Sequence, residues 1–188
     1  MQVFKSSIEA DTSELNWNIE EFETIDKSID TLLKYLEKDL PYIEKLNFHF
    51  LNSTAIWMPR IDQEVFATLT STDLNIISNT TLKKELTSYY SFAKRRFDIY
   101  INRYASIMED ASKNIFSTRF NELWNTKKGA MVPHDYEALK KDNEYLYFLR
   151  SLKHQLWFYI REPLQNAKKR ADALLESLEK EYRKLEQK

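Results

Sequence analysis

The chain of 188 residues holds one glycine, four prolines and no cysteine. An average chain of this length carries about a dozen glycines. Sheets turn on glycine-rich hairpins, so this scarcity argues against an all-β or doubly wound fold. It also excludes glycine-rich phosphate loops, since neither GxGxxG nor GxxxxGK can be written with a single glycine. Without cysteine there are no disulfides, no thiol catalysis and no cysteine-ligated zinc. No window approaches the roughly 18 consecutive apolar residues of a membrane span. Residues 1–13 lack the basic start and apolar block of a signal peptide. Charge of either sign is not in excess: 28 basic residues face 29 acidic ones.

What is present is a 43% hydrophobic content, enough for a real core in one domain of this length. The pattern is helical. Ile25, Ile29, Leu32, Leu33, Leu36, Leu40, Ile43, Leu46 and Phe50 recur at three- and four-residue steps, predicting a first long helix over about 14–51. Asp11 with Glu14 reads as its capping box, and Pro41 as a kink or break. A connecting segment, 52–79, follows. Pro59 stops any helix near Trp57 and Met58. Asp62 reads as the cap of a short helix carrying Val65, Phe66 and Leu69, with Leu74, Ile76 and Ile77 as an apolar plug.

Asn79 should cap a second long helix over about 80–124. Its stripe runs Leu82, Leu86, Tyr89, Ala93, Phe97, Tyr100, Tyr104, Ile107, Ala111 and Ile115, nine steps over 33 residues, close to 3.67 per turn. Gly129 and Pro133 mark the stop. Asp135 caps a short helix. Asp142 caps a third long helix, 142–187, with Tyr145, Leu149, Leu152, Leu156, Tyr159, Leu164, Ala167, Ala171, Leu174, Leu178, Tyr182 and Leu185 on its stripe and a bend at Pro163. The expectation is one all-α domain: an elongated up-and-down bundle of three long helices plus one or two short ones. The long connection leaves the direction of the second helix open. Charge is segregated: residues 14–45 carry nine acids and four bases, and residues 83–128 carry ten bases and five acids. Opposite signs should steer pairing between those helices.

Chemistry-bearing constellations are thin. No histidine has an acid three positions before it, so the paired Glu-x-x-His signature of a di-metal bundle is missing. His134-Asp135 is the one His-Asp pair; a metal phosphohydrolase reading would add His49 and Asp172, whereas the plainer reading is a helix-start dipeptide. Serines lack the Gly-x-Ser-x-Gly elbow. Neither a catalytic residue, a metal nor a cofactor is expected. Lys94, Arg95 and Arg96, flanked by Tyr89, Tyr90, Phe92 and Phe97, invite a nucleic-acid reading with Arg103 and Arg119. A net charge of −1 opposes it, and the plainer reading is a solvated face with ion pairs to the acidic first helix. Aromatics form 14% of the chain. Trp157 and Phe158 cannot both share the core line of Leu156 and Ile160, so apolar surface should remain. Trp57, Trp157, Phe158, Lys94, Arg95 and Arg96 are therefore the candidate interaction surface, for a protein partner or self-association.

The stretch from Glu64 to Asn79, followed by Leu82, Leu86 and Tyr89-Tyr90, resembles an uncharacterised family of bacterial membrane-anchored proteins, as does Ser28 to Leu36. The likeness covers roughly 25–104, with a looser echo at Leu174 to Leu178. Family members carry a basic N-terminus and one membrane span ahead of this domain. The resemblance therefore implies an extracytoplasmic helical domain, anchored through a segment absent from this chain, with no established activity. The sequence departs from the family in lacking that span and in having no glycine near Thr72; either Met1 opens a truncated form or this is a soluble relative.

Overall fold

The computed structural model describes residues 2–55, 59–61, 77–122 and 129–186. Among them the protein is all-α, a bundle of three long helices with short ones between. The elements are α1 (Gln2–Glu37), α2 (Leu46–Asn52), α3 (Thr80–Ala111), α4 (Tyr136–Lys140), α5 (Asn143–Leu156) and α6 (Glu162–Glu186). α3 continues through a π-helical turn, Ser112–Phe116, and a last α turn, Ser117–Arg119; a second π turn, Trp157–Arg161, joins α5 to α6. An isolated antiparallel bridge pairs Phe120 with Pro133. No described helix is long and apolar enough to cross a membrane. The predicted short helix at Asp62 and the residues Trp57, Met58, Leu74 and Ile76 lie outside the described residues.

The chain divides into two compact units. The first comprises Met1–Ile19, Met58–Ile99 and Glu162–Lys188; the second comprises Glu20–Trp57 and Tyr100–Arg161. In the first, Lys5 pairs with Glu179 of α6, and Asn79 and Ser88 at the start of α3 meet Glu181 and Arg170. Sequence numbers rise on α3 as they fall on α6, so these two helices are antiparallel. In the second unit Glu37 meets Arg150 and Asp30 meets Lys153, while Phe116 meets Phe148 and Tyr100 meets Tyr159. There α1 and α3 each run antiparallel to α5, hence parallel to each other. That settles the direction the sequence left open.

α1 corrects the sequence reading at both ends. It starts at Gln2, not near Glu14, and Asp11 is no cap: it lies inside the helix, 2% exposed. Phe4, Ile8, Asp11, Leu15, Asn18, Phe22, Ile25, Ile29, Leu32 and Leu36 are all buried. Alternate members are seven residues apart, a heptad seam with two polar residues in one of its core rows. The helix does not bend through Pro41; it ends. Asp39 takes a left-handed φ of 53°, Leu40 N–H donates to the Tyr35 carbonyl at 3.0 Å and Asp39 N–H to Leu36 at 3.4 Å. That is a Schellman stop, and Pro41 then holds Leu40 out of the helical region.

α3 keeps its predicted cap: Asn79 Oδ1 accepts from Thr81 N–H and Leu82 N–H. Its stripe is buried as expected except at Ile107, where Met108 takes the inward place. The π turn then adds a residue, and adjacent Ile115 and Phe116 both face in. Phe116 joins Phe50, Phe120, Tyr145 and Phe148 in a cluster with centroids 5.2–6.4 Å apart, mostly edge to face but with Tyr145 and Phe148 stacked, favourable aromatic geometry.

Candidate functional site

Trp157 and Phe158 sit on the second π turn and are 52% and 56% exposed. The cause lies two residues beyond the turn. Pro163 has no N–H for the Tyr159 carbonyl, and its ring crowds that carbonyl; the wider turn absorbs the misfit. The same turn hands the core line from Leu156 to Ile160, both buried, and leaves Tyr159 half-buried. The aromatic and cationic neighbours of this bulge form an arc. The Arg161 guanidinium lies 4.0 Å from the Trp157 ring centre and 6.0 Å from that of Phe22. The Phe158 and Tyr159 rings meet edge to face at 5.1 Å. Tyr159 packs on Tyr100 at 5.5 Å and carries the Arg103 guanidinium at 4.9 Å.

Neighbouring cations behave differently. Arg150 pairs with Glu37 at 2.8 Å, and Lys153 with Asp30. Among the described residues no carboxylate lies within ion-pair distance of Arg103 or Arg161, and the Arg161 Nε is shielded from solvent with no hydrogen-bond acceptor. Two guanidiniums are thus held by ring faces, a placement that leaves N–H edges open to an acceptor.

The basic run on α3 is exposed at Lys94, Arg95 and Arg96. Among the described pairs, Asp26, Asp30 and Glu37 of α1 go to Lys153 and Arg150 of α5. Arg96 leans toward Phe92 at 5.9 Å. Arg119, also a basic candidate, faces inward instead. Its Nε donates to Asp142 at 2.6 Å and its Nη2 to Glu144. That bond holds Asp142 below the usual carboxylate range, helped by the N–H groups of Tyr145 and Glu144, which Asp142 caps. Trp57 lies outside the described residues.

Asp135 caps α4 by accepting from Ala138 N–H at 3.0 Å, with His134 exposed beside it: the helix-start reading. Asp172 is bonded by Lys168 at 2.7 Å. No three His, Asp or Glu residues converge among the described residues.

Two polar clusters escaped the sequence reading because their members are far apart in the chain. His49 Nδ1 lies 3.1 Å from Ser28 Oγ, which accepts from Asn52 Nδ2 at 3.0 Å. Accepting from Asn52 leaves the Ser28 proton for the imidazole, the geometry of a general base on a hydroxyl. Ser28 is 1% exposed, however, so this contact fastens α2 to α1. Burial, with the nearby Lys45 charge, holds the His49 pKa below its ordinary value. In the other unit, Tyr89 donates to Asp11 at 3.1 Å and Tyr90 shares a bond with Ser7 at 3.0 Å. Burial and the Asp11 charge push the Tyr89 hydroxyl far up.

Compared with known proteins, the chain matches no family model, no curated protein and no solved structure.

Proposed function

We propose that this chain is a non-enzymatic helical interaction domain that docks a protein partner on the aromatic arc at the second π turn. The observation that carries the reading is the pair Trp157 and Phe158, each more than half exposed on a widened turn of an otherwise regular helix. Adjacent large aromatics left in solvent forgo apolar burial worth about 25 cal/mol per Å², and tryptophan and arginine are the residue types that dominate binding energy when a partner covers them. π turns recur at functional positions. The reading extends to the compartment: the resemblance of 25–104 to an anchored bacterial family supports placing the domain as the soluble part of a membrane-attached protein, checked by fractionating the producing cells.

The test is the native mass of the chain in a gentle extract of those cells. The wild type should run well above its own 22.6 kDa, and Trp157→Ala with Phe158→Ala should return it to the mass of the free chain. A wild type that runs as a monomer, or a complex indifferent to the double substitution, overturns the reading.

A further inference from the structure

Resting on that docking reading, we infer that the partner is an acidic amphipathic segment of another protein, one large apolar side chain covering Trp157 and Phe158 and carboxylates reaching Arg103 and Arg161. Charge complementarity around the arc points to that partner. Arg150 and Lys153 of α5, which face α1 in this unit, are already matched: Arg150 by Glu37, and Lys153 by Asp26 and Asp30. The two cations that flank the exposed aromatics are matched by rings alone among the described residues, Arg161 on Trp157 at 4.0 Å and Arg103 on Tyr159 at 4.9 Å. Stacking fixes the plane of a guanidinium, so its fork of donors is ordered before a ligand arrives. Carboxylates match that fork in two-point hydrogen bonding.

Stacked aromatics beside guanidiniums also suit single-stranded nucleic acid. The charges around the arc favour a peptide. Glu162 follows Arg161 directly in the chain and is exposed, and the nearby face of α1 carries Asp26 and Asp30. A continuous row of phosphates meets those acids; a segment with two discrete carboxylates avoids them. A second copy of this chain could not offer Asp26, Asp30 or Glu37 of α1, which are already engaged.

The experiment displays a random library of peptides about twelve residues long, pans it on the folded full chain, and counter-screens with Arg103→Gln/Arg161→Gln and with Trp157→Ala/Phe158→Ala. Both arginines are held by ring faces, so their variants should keep the wild-type circular dichroism even where the aromatic pair fails to fold. Enriched peptides should carry at least two carboxylates around one large apolar residue. A synthetic copy should bind about tenfold more weakly to the arginine variant, and binding should weaken as salt is raised. Enriched peptides that are neutral or basic yet need Trp157 and Phe158 overturn the charge inference while leaving the docking reading intact. No enrichment, or binding indifferent to the arginines, also overturns it. Retention of an oligothymidylate strand through Arg103 and Arg161 transfers the site to nucleic acid. A wild-type dimer split by the arginine variant transfers it to a second copy.

Discussion

Removing a single hydroxyl from the core of the first unit should reveal how its polar seam is held. Tyr89 and Asp11 are 1% and 2% exposed, and the hydroxyl donates to Oδ2 at 3.1 Å. Tyr89→Phe keeps the ring and its edge contact with Tyr90 at 5.0 Å, so what is lost is the hydrogen bond. A bond to a charged acceptor is worth about 1.5–3 kcal/mol, and the carboxylate stays buried with one donor fewer. The expected loss is about 2 kcal/mol; with a urea slope of about 2 kcal/mol/M, the midpoint falls by about 1 M. Asp11→Leu alone orphans the Tyr89 hydroxyl at a similar cost of about 1–3 kcal/mol. The double variant adds a leucine to the heptad row of Phe4, Ile25 and Leu32 and should recover most of the loss, because well-packed apolar replacements of buried polar pairs are tolerated. Urea unfolding by circular dichroism of the four proteins gives the cycle, with a coupling of about 1.5–3 kcal/mol. Coupling under about 0.5 kcal/mol would show that the pair is not an energetic unit and refute the argument.

The second unit makes its own predictions. His49 has a pKa held below its unfolded value, so the unfolded state takes up a proton first as pH falls. The His49 contribution is therefore complete well above pH 6.5 and is lost as pH drops through the folded pKa. Urea midpoints between about pH 7.5 and 5.5 should fall for the wild type and flatten in His49→Gln. Asp142 gives the corresponding acid effect lower down: its folded pKa is depressed chiefly by Arg119, so this stability persists above about pH 4 and disappears as pH falls through the folded value. Arg119→Ala, which removes both carboxylate contacts, should cost about 2 kcal/mol at neutral pH and weaken that acid dependence in thermal melts. Gly129 has φ +58°, and nothing lies within 4 Å of the place a methyl group would take there. Gly129→Ala should therefore cost only the backbone strain, about 1 kcal/mol in denaturation, and Gly129→Asn less.

Most of the fold was legible wherever apolar spacing is regular. The α3 stripe and the caps at Asn79, Asp135 and Asp142 needed only periodicity and side chains that accept from N–H; the third helix followed its expected stripe to Leu156, where the π turn moves the core line from Tyr159 to Ile160, and Tyr182 near its end stands 41% exposed. The first third of α1 was missed because Asp11 interrupts the apolar row; only its buried partner, the Tyr89 hydroxyl, explains a carboxylate in that core. The end of α1 at Asp39 was half legible. Pro41 announced a disturbance, but the apolar spacing of Leu40 and Ile43 mimicked continuity, and a left-handed aspartate is not a strong signal in sequence. The π turn at Ser112–Phe116 has no proline to mark it. At the candidate site, adjacency alone showed that Trp157 and Phe158 could not both reach the core. The guanidiniums stacked beside them come from Arg161, four residues on from Trp157, and from Arg103 on another helix; that second relation exists only in three dimensions.

The central claim, that the arc at the second π turn is a docking surface, is tested most directly by photo-crosslinking in the producing cells. A photoreactive residue would replace Phe158 in one version and Tyr147 in another. Tyr147 is 72% exposed on the same run of helix, outside the arc that Arg103 and Arg161 flank. The account predicts one discrete protein adduct from position 158, none from position 147, and loss of the adduct when Arg103 and Arg161 become glutamine. No adduct at 158, or the same adduct from both positions, would contradict it.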